Sequence, residues 1–194
     1  EVTRIVTVTA PVTATPVAKE QTAVTSIPYQ GQWSASAHAN AGAPAFTHWH
    51  NDNPAEIPAA CAQCHSNAGF LDFMGADGSE AGVVNQPAPI GSVVTCETCH
   101  NPATLTLDSA AFPAGITLHG LGVSARCIVC HQGRASTVQV NNAITDAGLD
   151  AVTDADTVSP DLAFTNVHYA AAAVSLLGTE VQGGYEYDGQ RYDP

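Results

Sequence analysis

Cys61-Ala-Gln-Cys64-His65 is the stretch that decides the fold of this chain, because the same pattern occurs twice more. The other two copies are Cys96-Glu-Thr-Cys99-His100 and Cys127-Ile-Val-Cys130-His131. We call them the first, second and third CxxCH motifs. All 6 cysteines of the 194 residues lie in these motifs, so the pattern accounts for the cysteine chemistry of the whole chain.

Cys-x-x-Cys-His is the sequence that attaches c-type haem. On one turn of chain the two thiols reach the two vinyl groups of one porphyrin, and the next residue lies under the iron as its proximal ligand. The motifs therefore predict three covalently bound c-type haems. The predicted attachment residues are Cys61, Cys64, Cys96, Cys99, Cys127 and Cys130, and the predicted proximal ligands are His65, His100 and His131.

Zinc and redox-active disulfides are the alternative uses of paired cysteines. Two Cys-x-x-Cys pairs can form a tetrahedral zinc site, but this would leave the third pair unused. Redox disulfides do not require a following histidine. Neither alternative explains why histidine follows the second cysteine in every copy, so the motifs favour haem.

The composition suggests that the polypeptide alone has few large side chains with which to fill a core. Hydrophobic residues make up 45% of the chain, mostly Ala and Val, and only 6% of residues are aromatic. Three porphyrins would supply the missing apolar bulk. We therefore predict a mostly irregular fold, with short α-helices and a few short strands wrapped around a stack of three haems.

The charge balance narrows the choice of partners and location. The formal net charge is −13, which disfavours nucleic acid and anionic membrane surfaces and suits a cationic protein or an oxidised mineral or metal ion. Charged residues are only 12% of the chain, so we expect copies of the chain or glycans to cover part of the surface. No stretch has the length and apolarity of a membrane span.

Covalent haem attachment predicts an extracytoplasmic protein, with the cell surface or exterior favoured over the periplasm. No signal peptide is visible, and Glu1 is interpreted as a mature N-terminus that follows processing.

Residues 1–28 differ from the rest of the chain and form a predicted extended arm, while residues 29–194 form the predicted trihaem domain. The arm contains no Cys, His or Gly and alternates like a β-strand, which favours strand addition to a neighbouring subunit. Its Thr and Pro content is also typical of an O-glycosylated leader, and both interpretations stay open.

Local patterns predict several short elements. They are a helix over 33–41 capped by Ser34, two strands around a Pro-Gly turn within 103–118, a helix from Ser136 through Ile144, a helix over 167–177 closed by Gly178, and a hairpin at Asp188-Gly189.

The histidine count decides what the irons can do. Eight histidines less three proximal ligands leave five, which exceeds the three distal ligands that six-coordinate haems need. We favour His38, His48 and His168 as distal ligands, followed by His119 and then His50. An iron with two histidine ligands has no open position for a substrate, so it transfers electrons and does not catalyse.

Two further features are assigned to haem contacts. Arg134 lies close to the third motif and is predicted to bind a haem propionate. Phe70, Leu71, Phe73 and Met74 form the largest apolar cluster and are predicted to pack against a haem face, with Met74 as a less favoured axial ligand.

At these residues the sequence resembles the bacterial multihaem c-type cytochromes. The stretches that carry the resemblance are the three motifs, Trp33-x-x-x-x-His38-Ala39, Thr47-His48-Trp49, the Gln132-Gly133-Arg134 that follows the third motif, and Asn166-Val167-His168-Tyr169 leading to Gly183-Gly184-Tyr185-Glu186-Tyr187. In such relatives, a histidine ahead of the first motif and the histidine of the Asn-x-His-Tyr stretch are similar to distal ligands.

Some cytochromes of this kind polymerise into extracellular filaments, and one haem of each subunit takes its distal histidine from a neighbour. This sequence is similar in its arm, low charge density and surplus histidines, although the filament cytochromes carry more than three haems. We therefore favour an electron-conducting filament subunit that assembles head to tail, with haem-to-haem contact between copies and His38 as a candidate ligand to a neighbour's iron. Two alternatives are a monomeric carrier that exchanges electrons with redox partner proteins, and an enzyme that reduces a small nitrogen or sulfur oxyanion.

Overall fold

The computed structural model describes residues 27–169, 171–187, 189, 190 and 192. The predicted arm over 1–28 thus falls almost entirely outside the described residues, and so does Asp188 of the predicted hairpin. In the described part of the chain no helix is long and apolar enough to cross a membrane.

The described elements are short helices joined by irregular segments and two small antiparallel ribbons. The helices are α1 (Gln30–Ser34), α2 (Pro44–Thr47), α3 (Ala59–His65), α4 (Asn67–Phe73), α5 (Cys96–Cys99), α6 (Pro102–Leu105), α7 (Ala125–His131), α8 (Thr137–Asp146) and α9 (Ala172–Leu177), with 3₁₀ turns at Ala37–Ala39, Gly122–Ser124 and Gly178–Glu180. Strand β1 (Glu56–Ile57) pairs with β2 (Ala88–Pro89), and β3 (Ala110–Ala111) pairs with β4 (Thr117–Leu118). These elements match the predicted mixture, while its arrangement around haems stays a prediction.

Helices α3 and α4 cross closely because Gly69 lacks a side chain. Ser66 separates the two helices, and its hydroxyl accepts a hydrogen bond from the backbone N–H of Gly69 at 2.8 Å, which caps α4. A Cβ atom added at Gly69 would overlap the carbonyl group of Ala62 in α3. This contact fixes the helix that carries the first motif against its neighbour.

A buried carboxylate organises the loop that follows α4. Asp72 accepts hydrogen bonds from the backbone N–H of Asn85 at 2.7 Å, from its side-chain amide at 2.8 Å and from the Ser79 hydroxyl at 2.9 Å. The hydrogen bond from the Asn85 backbone N–H has the largest effect, and together these bonds lower the pKa of Asp72 below its usual value.

The apolar interior consists of two small clusters. The larger contains Phe70, Ala110, Phe112, Ile128, Val129, Ala173, Val174 and Val181, with Met74 and Cys130 packed at its edge. The smaller contains Trp49, Ile57, Ala62 and Ala88, with Cys61 at its edge. Each cluster therefore includes a side chain from a CxxCH motif at its border.

Two local predictions are confirmed. Strands β3 and β4 form a hairpin in which Ala110 is opposite Leu118, although residues 102–105, at the start of the predicted stretch, are helical. Helix α8 begins after Ser136, whose hydroxyl accepts from the backbone N–H of Val138 at 3.2 Å, as expected of a cap.

Two helix predictions were wrong in their bounds. The helix predicted over 33–41 lies at Gln30–Ser34, and Ser34 is its last residue, where the hydroxyl donates to the carbonyl of Gly31. The helix predicted over 167–177 begins only at Ala172, so His168 precedes it. Here the Asn166 side chain accepts from the backbone N–H of His168 at 2.8 Å, a local bond that competes with helix formation.

Candidate haem-binding sites

All three motifs lie on or at the end of short helices. The first and third motifs occupy the last five of the seven residues of α3 and α7, and the second forms α5 with His100 directly after it. Residues three apart lie on the same side of a helix, so the two thiols of each motif face the same way. This is the local geometry that two thioether bonds to one porphyrin need.

Two motif histidines lie close to a histidine from a distant part of the chain, and the two ring planes of each pair are steeply inclined to one another. The ring centroids of His65 and His168 are 5.8 Å apart, and those of His131 and His38 are 6.2 Å apart. Two metal–nitrogen bonds of about 2 Å and two ring radii of about 1 Å would place the centroids of opposed imidazole ligands about 6 Å apart. Both pairs therefore have the spacing that one iron between the rings requires.

Hydrogen bonds to Nδ1 set the tautomers of the first pair. His65 Nδ1 lies 2.8 Å from the carbonyl oxygen of Ala45, and His168 Nδ1 lies 3.2 Å from Oδ1 of Asn166. Because Asn166 Oδ1 also accepts from a backbone N–H, both partners are acceptors and both Nδ1 atoms carry the proton. The Nε2 lone pairs are left for a metal, which is the usual arrangement of metal-binding histidines.

The electrostatic environment also favours the neutral, metal-binding form of the proximal rings. Burial lowers the pKa of His65, and the nearby His168 lowers it further. Burial likewise lowers the pKa of His131, with a smaller contribution from His38. The lowered pKa values favour the neutral form of both predicted proximal rings, which is the form that binds a metal.

Backbone hydrogen bonds position His38. It lies in the 3₁₀ turn Ala37–Ala39, and its carbonyl accepts from the backbone N–H of Val94 at 3.1 Å. Trp33 Nε1 donates to the carbonyl of the same Val94 at 2.9 Å. Trp33 and His38 are thereby held together beside the segment that leads into the second motif.

The loop after the third motif positions His168. The carbonyl of His168 accepts from the backbone N–H of Arg134 at 3.1 Å. Gly133 has φ of 81°, and a Cβ atom there would lie 3.1 Å from the same carbonyl. Glycine is favoured at this position because the backbone is left-handed and passes close to the segment that carries His168.

The other predicted distal ligands are not placed opposite a motif histidine. His48 packs edge-to-face against Trp49, with ring centroids 5.0 Å apart, and Trp49 in turn packs edge-to-face against His65 at 5.2 Å. His119 and His50 are exposed, and His100 has no aromatic ring stacked on it among the described residues. The distal ligand of the second motif therefore stays a prediction, with His48, His119 and His50 as the remaining candidates.

Arg134 and Met74 lie near the predicted sites. Although Arg134 follows the third motif in sequence, its guanidinium donates to the carbonyl of Ala60 at 2.8 Å and so lies beside the first motif. Met74 packs against the larger apolar cluster that contains Phe70. Propionate binding by Arg134 and haem packing by this cluster stay predictions.

Sequence reasoning missed the groups that orient the ligands. Ala45 and Val94 act through backbone atoms, which no sequence pattern reveals. The role of Asn166 could have been recognised, because an asparagine side chain commonly accepts a hydrogen bond from the backbone N–H two residues later in the chain. Among the described residues, no group of three or more His, Cys, Asp and Glu side chains converges to hold a bare ion, and both histidine pairs are two-ligand arrangements.

No family model, curated protein or solved structure matches this chain.

Proposed function

We propose that this chain transfers electrons through three covalently bound c-type haems. The observation that carries the proposal is the pairing of His65 with His168 and of His131 with His38 at the spacing of opposed iron ligands. Each pair joins a motif histidine to a histidine far away in sequence. A haem bound at such a pair supplies a one-electron iron couple.

The chain's own groups would fix the ligands and exclude other chemistry. The Ala45 carbonyl and Asn166 side chain hold two of the four rings with Nε2 free. At the two paired sites, two histidine ligands would leave no open position on the iron for a substrate, which supports an electron carrier over an enzyme there. For this reason we assign no catalytic residue to the chain.

The test is to produce the chain in a host that attaches c-type haem and to measure its mass and spectrum. We expect three covalently attached haems and the low-spin spectrum of two-histidine ligation. Replacing both cysteines of the second motif, Cys96→Ala with Cys99→Ala, should remove one haem and leave two. A colourless product with the mass of the bare polypeptide would refute the proposal.

We further propose that the protein acts outside the cytoplasmic membrane as a subunit of an extracellular filament, with a monomeric carrier as the alternative. The support for assembly comes from the sequence: the strand-like arm, the 12% charged residues and the surplus histidines. The pairing of His38 with His131 within one chain suggests that a ligand donated between copies would serve the second motif instead. Filaments in electron micrographs of the purified holoprotein would support assembly, and a single monomer peak by size measurement would refute it.

A further inference from the structure

We propose that the guanidinium of Arg126 binds a propionate of a haem attached at the second or third motif, through the edge that carries Nε. The sequence predicts propionate binding only for Arg134, which follows the third motif. The inference rests on the proposed haem attachment and adds a residue that would hold the porphyrin away from its iron. No bond is formed or broken, because the contact is an ion pair between two groups that are already charged.

The start of α7 places Arg126 between two predicted attachment sites. Arg126 is the second residue of the helix and directly precedes Cys127 of the third motif. Its Nη1 donates to the carbonyl of Cys99 in the second motif at 3.1 Å. The Asp108 carboxylate accepts from the backbone N–H of Gly122 at 2.7 Å and so fixes the turn that leads into α7. The side chain is therefore anchored at its backbone and at its tip.

One nitrogen of this guanidinium has no acceptor. Nε of Arg126 is buried, and it is the only buried side-chain nitrogen or oxygen in the described part of the chain that lacks a hydrogen-bond partner. Because Nη1 is bonded to the Cys99 carbonyl, the remaining edge is the one on which Nε and Nη2 present parallel N–H groups. Such an edge matches the two oxygens of a carboxylate. Buried donors are normally hydrogen-bonded, so Nε calls for an acceptor that is buried with it.

That acceptor has to carry a negative charge. A guanidinium does not lose its proton in proteins, so burial cannot be relieved by neutralising it, and a buried charge needs a paired counter-charge. The described protein carboxylates do not supply one, since none is hydrogen-bonded to Nε. Glu97 of the second motif is exposed, and the two oxygens of Asp108 accept from backbone N–H groups in the turn before α7.

The haems themselves would bring carboxylates to this place. Haem carries propionates that are ionised at neutral pH, and thioether bonds at Cys99 or Cys127 would attach a porphyrin beside Arg126. Arg126 and Arg134 are the only Lys or Arg residues in the described part of the chain. Arg134 is bonded to the carbonyl of Ala60 beside the first motif, so Arg126 is the one of these two arginines that contacts the second motif.

An experimental structure of the haem-loaded protein tests the contact directly. We expect a propionate oxygen about 3 Å from Arg126 Nε, and the thioether bonds of that porphyrin show whether it belongs to the second or the third motif. If Nε is paired with water or a protein oxygen, or if the propionate belongs to the first haem, the inference is wrong although the proposed function stands. A preparation without covalent haem refutes the proposed function, and the inference falls with it.

Haem-resolved redox titration by NMR tests the contact in solution. A positive charge beside a haem favours the ferrous iron, which carries less positive charge than the ferric iron. Arg126→Gln should therefore lower the potential of the second or third haem. It should also make that potential more dependent on pH, because the propionate binds a proton more readily once the guanidinium is gone.

Arg126→Lys is the matched control, since it keeps the positive charge and should retain most of the potential of the unaltered protein. A fully loaded Arg126→Gln protein whose potentials and pH dependence are unchanged would overturn the inference. So would a lysine variant that shifts the potential as far as the glutamine variant does. If Arg126→Gln does not fold, the lysine variant and the structure of the unaltered protein decide the question.

Discussion

Replacing His168 by alanine should convert one haem of the three from low spin to high spin. His168 faces His65 across 5.8 Å, and in the proposed site its Nε2 is the distal ligand of the first haem. Its ring is exposed at the surface, so water can enter the space that the imidazole leaves. Water is a weaker ligand than imidazole, which favours the high-spin state of the ferric iron.

The expected magnitude follows from the motif count. With three motifs in the chain, losing one distal ligand removes about one third of the low-spin ferric signal and creates an equivalent high-spin signal. The covalent haem content should stay at three, because the cysteines of all motifs are intact. This separates loss of a ligand from loss of a haem.

Electron paramagnetic resonance at low temperature measures both spin states in one sample, and a haem assay on the same sample gives the content. Val167→Ala is the matched control, since it alters the neighbouring exposed side chain, 80% accessible, and leaves the imidazole in place. We expect the control spectrum to equal that of the unaltered protein. A fully loaded His168→Ala protein that remains entirely low-spin would refute the assignment of His168 as a ligand.

Three further predictions concern stability. Gly69→Ala should destabilise the fold by about 1–3 kcal/mol, because the new methyl group collides with the Ala62 carbonyl. The control Gly31→Ala places its methyl group in open space and should change the free energy of unfolding little when both variants are measured by chemical denaturation. Gln63→Leu should cost about 1–3 kcal/mol in the same assay, since it leaves a buried carbonyl of α7 without its donor, and an unchanged midpoint would contradict this. The pKa of Asp72 in the folded state lies below its unfolded value of about 3.9. Its contribution to the free energy of unfolding is therefore complete above that pH and is lost as the pH falls through the pKa of the folded state. Asp72→Asn should therefore weaken the acid dependence of unfolding below about pH 4, and identical pH profiles would exclude this role.

The sequence predicted best where a few adjacent residues determine the structure. Ser136 provides a cap within two residues of the helix that it begins, and a Pro-Gly turn brings β3 back onto β4. The prediction failed at the helix over 167–177, where alanine-rich composition suggests a helix from its start. The side chain of Asn166 instead bonds to the backbone N–H of His168 and delays the helix until Ala172.

The residues of the candidate site show the same difference between features set by adjacent residues and features set by distant ones. The predicted proximal ligands follow from the spacing within each motif, so His65, His100 and His131 could be proposed directly from the sequence. The favoured His38 and His168 do face motif histidines, but their partners could not be assigned, since each pair joins segments about half the chain apart. Such pairings are set by packing between helices and by carbonyl groups, and these leave no periodic signal in the sequence.

The two histidine pairs also interleave along the chain, since His38 and His65 both precede His131, and His168 follows all three. A single cut anywhere between residues 65 and 131 therefore separates the members of both pairs, and neither resulting fragment keeps a complete pair. If the chain is exported N-terminus first, the first motif emerges with its cysteines and His65 while its second ligand is still on the other side of the membrane. In the proposed cytochrome, attachment of the first haem can thus begin early, but its coordination is finished only when the chain has crossed as far as His168.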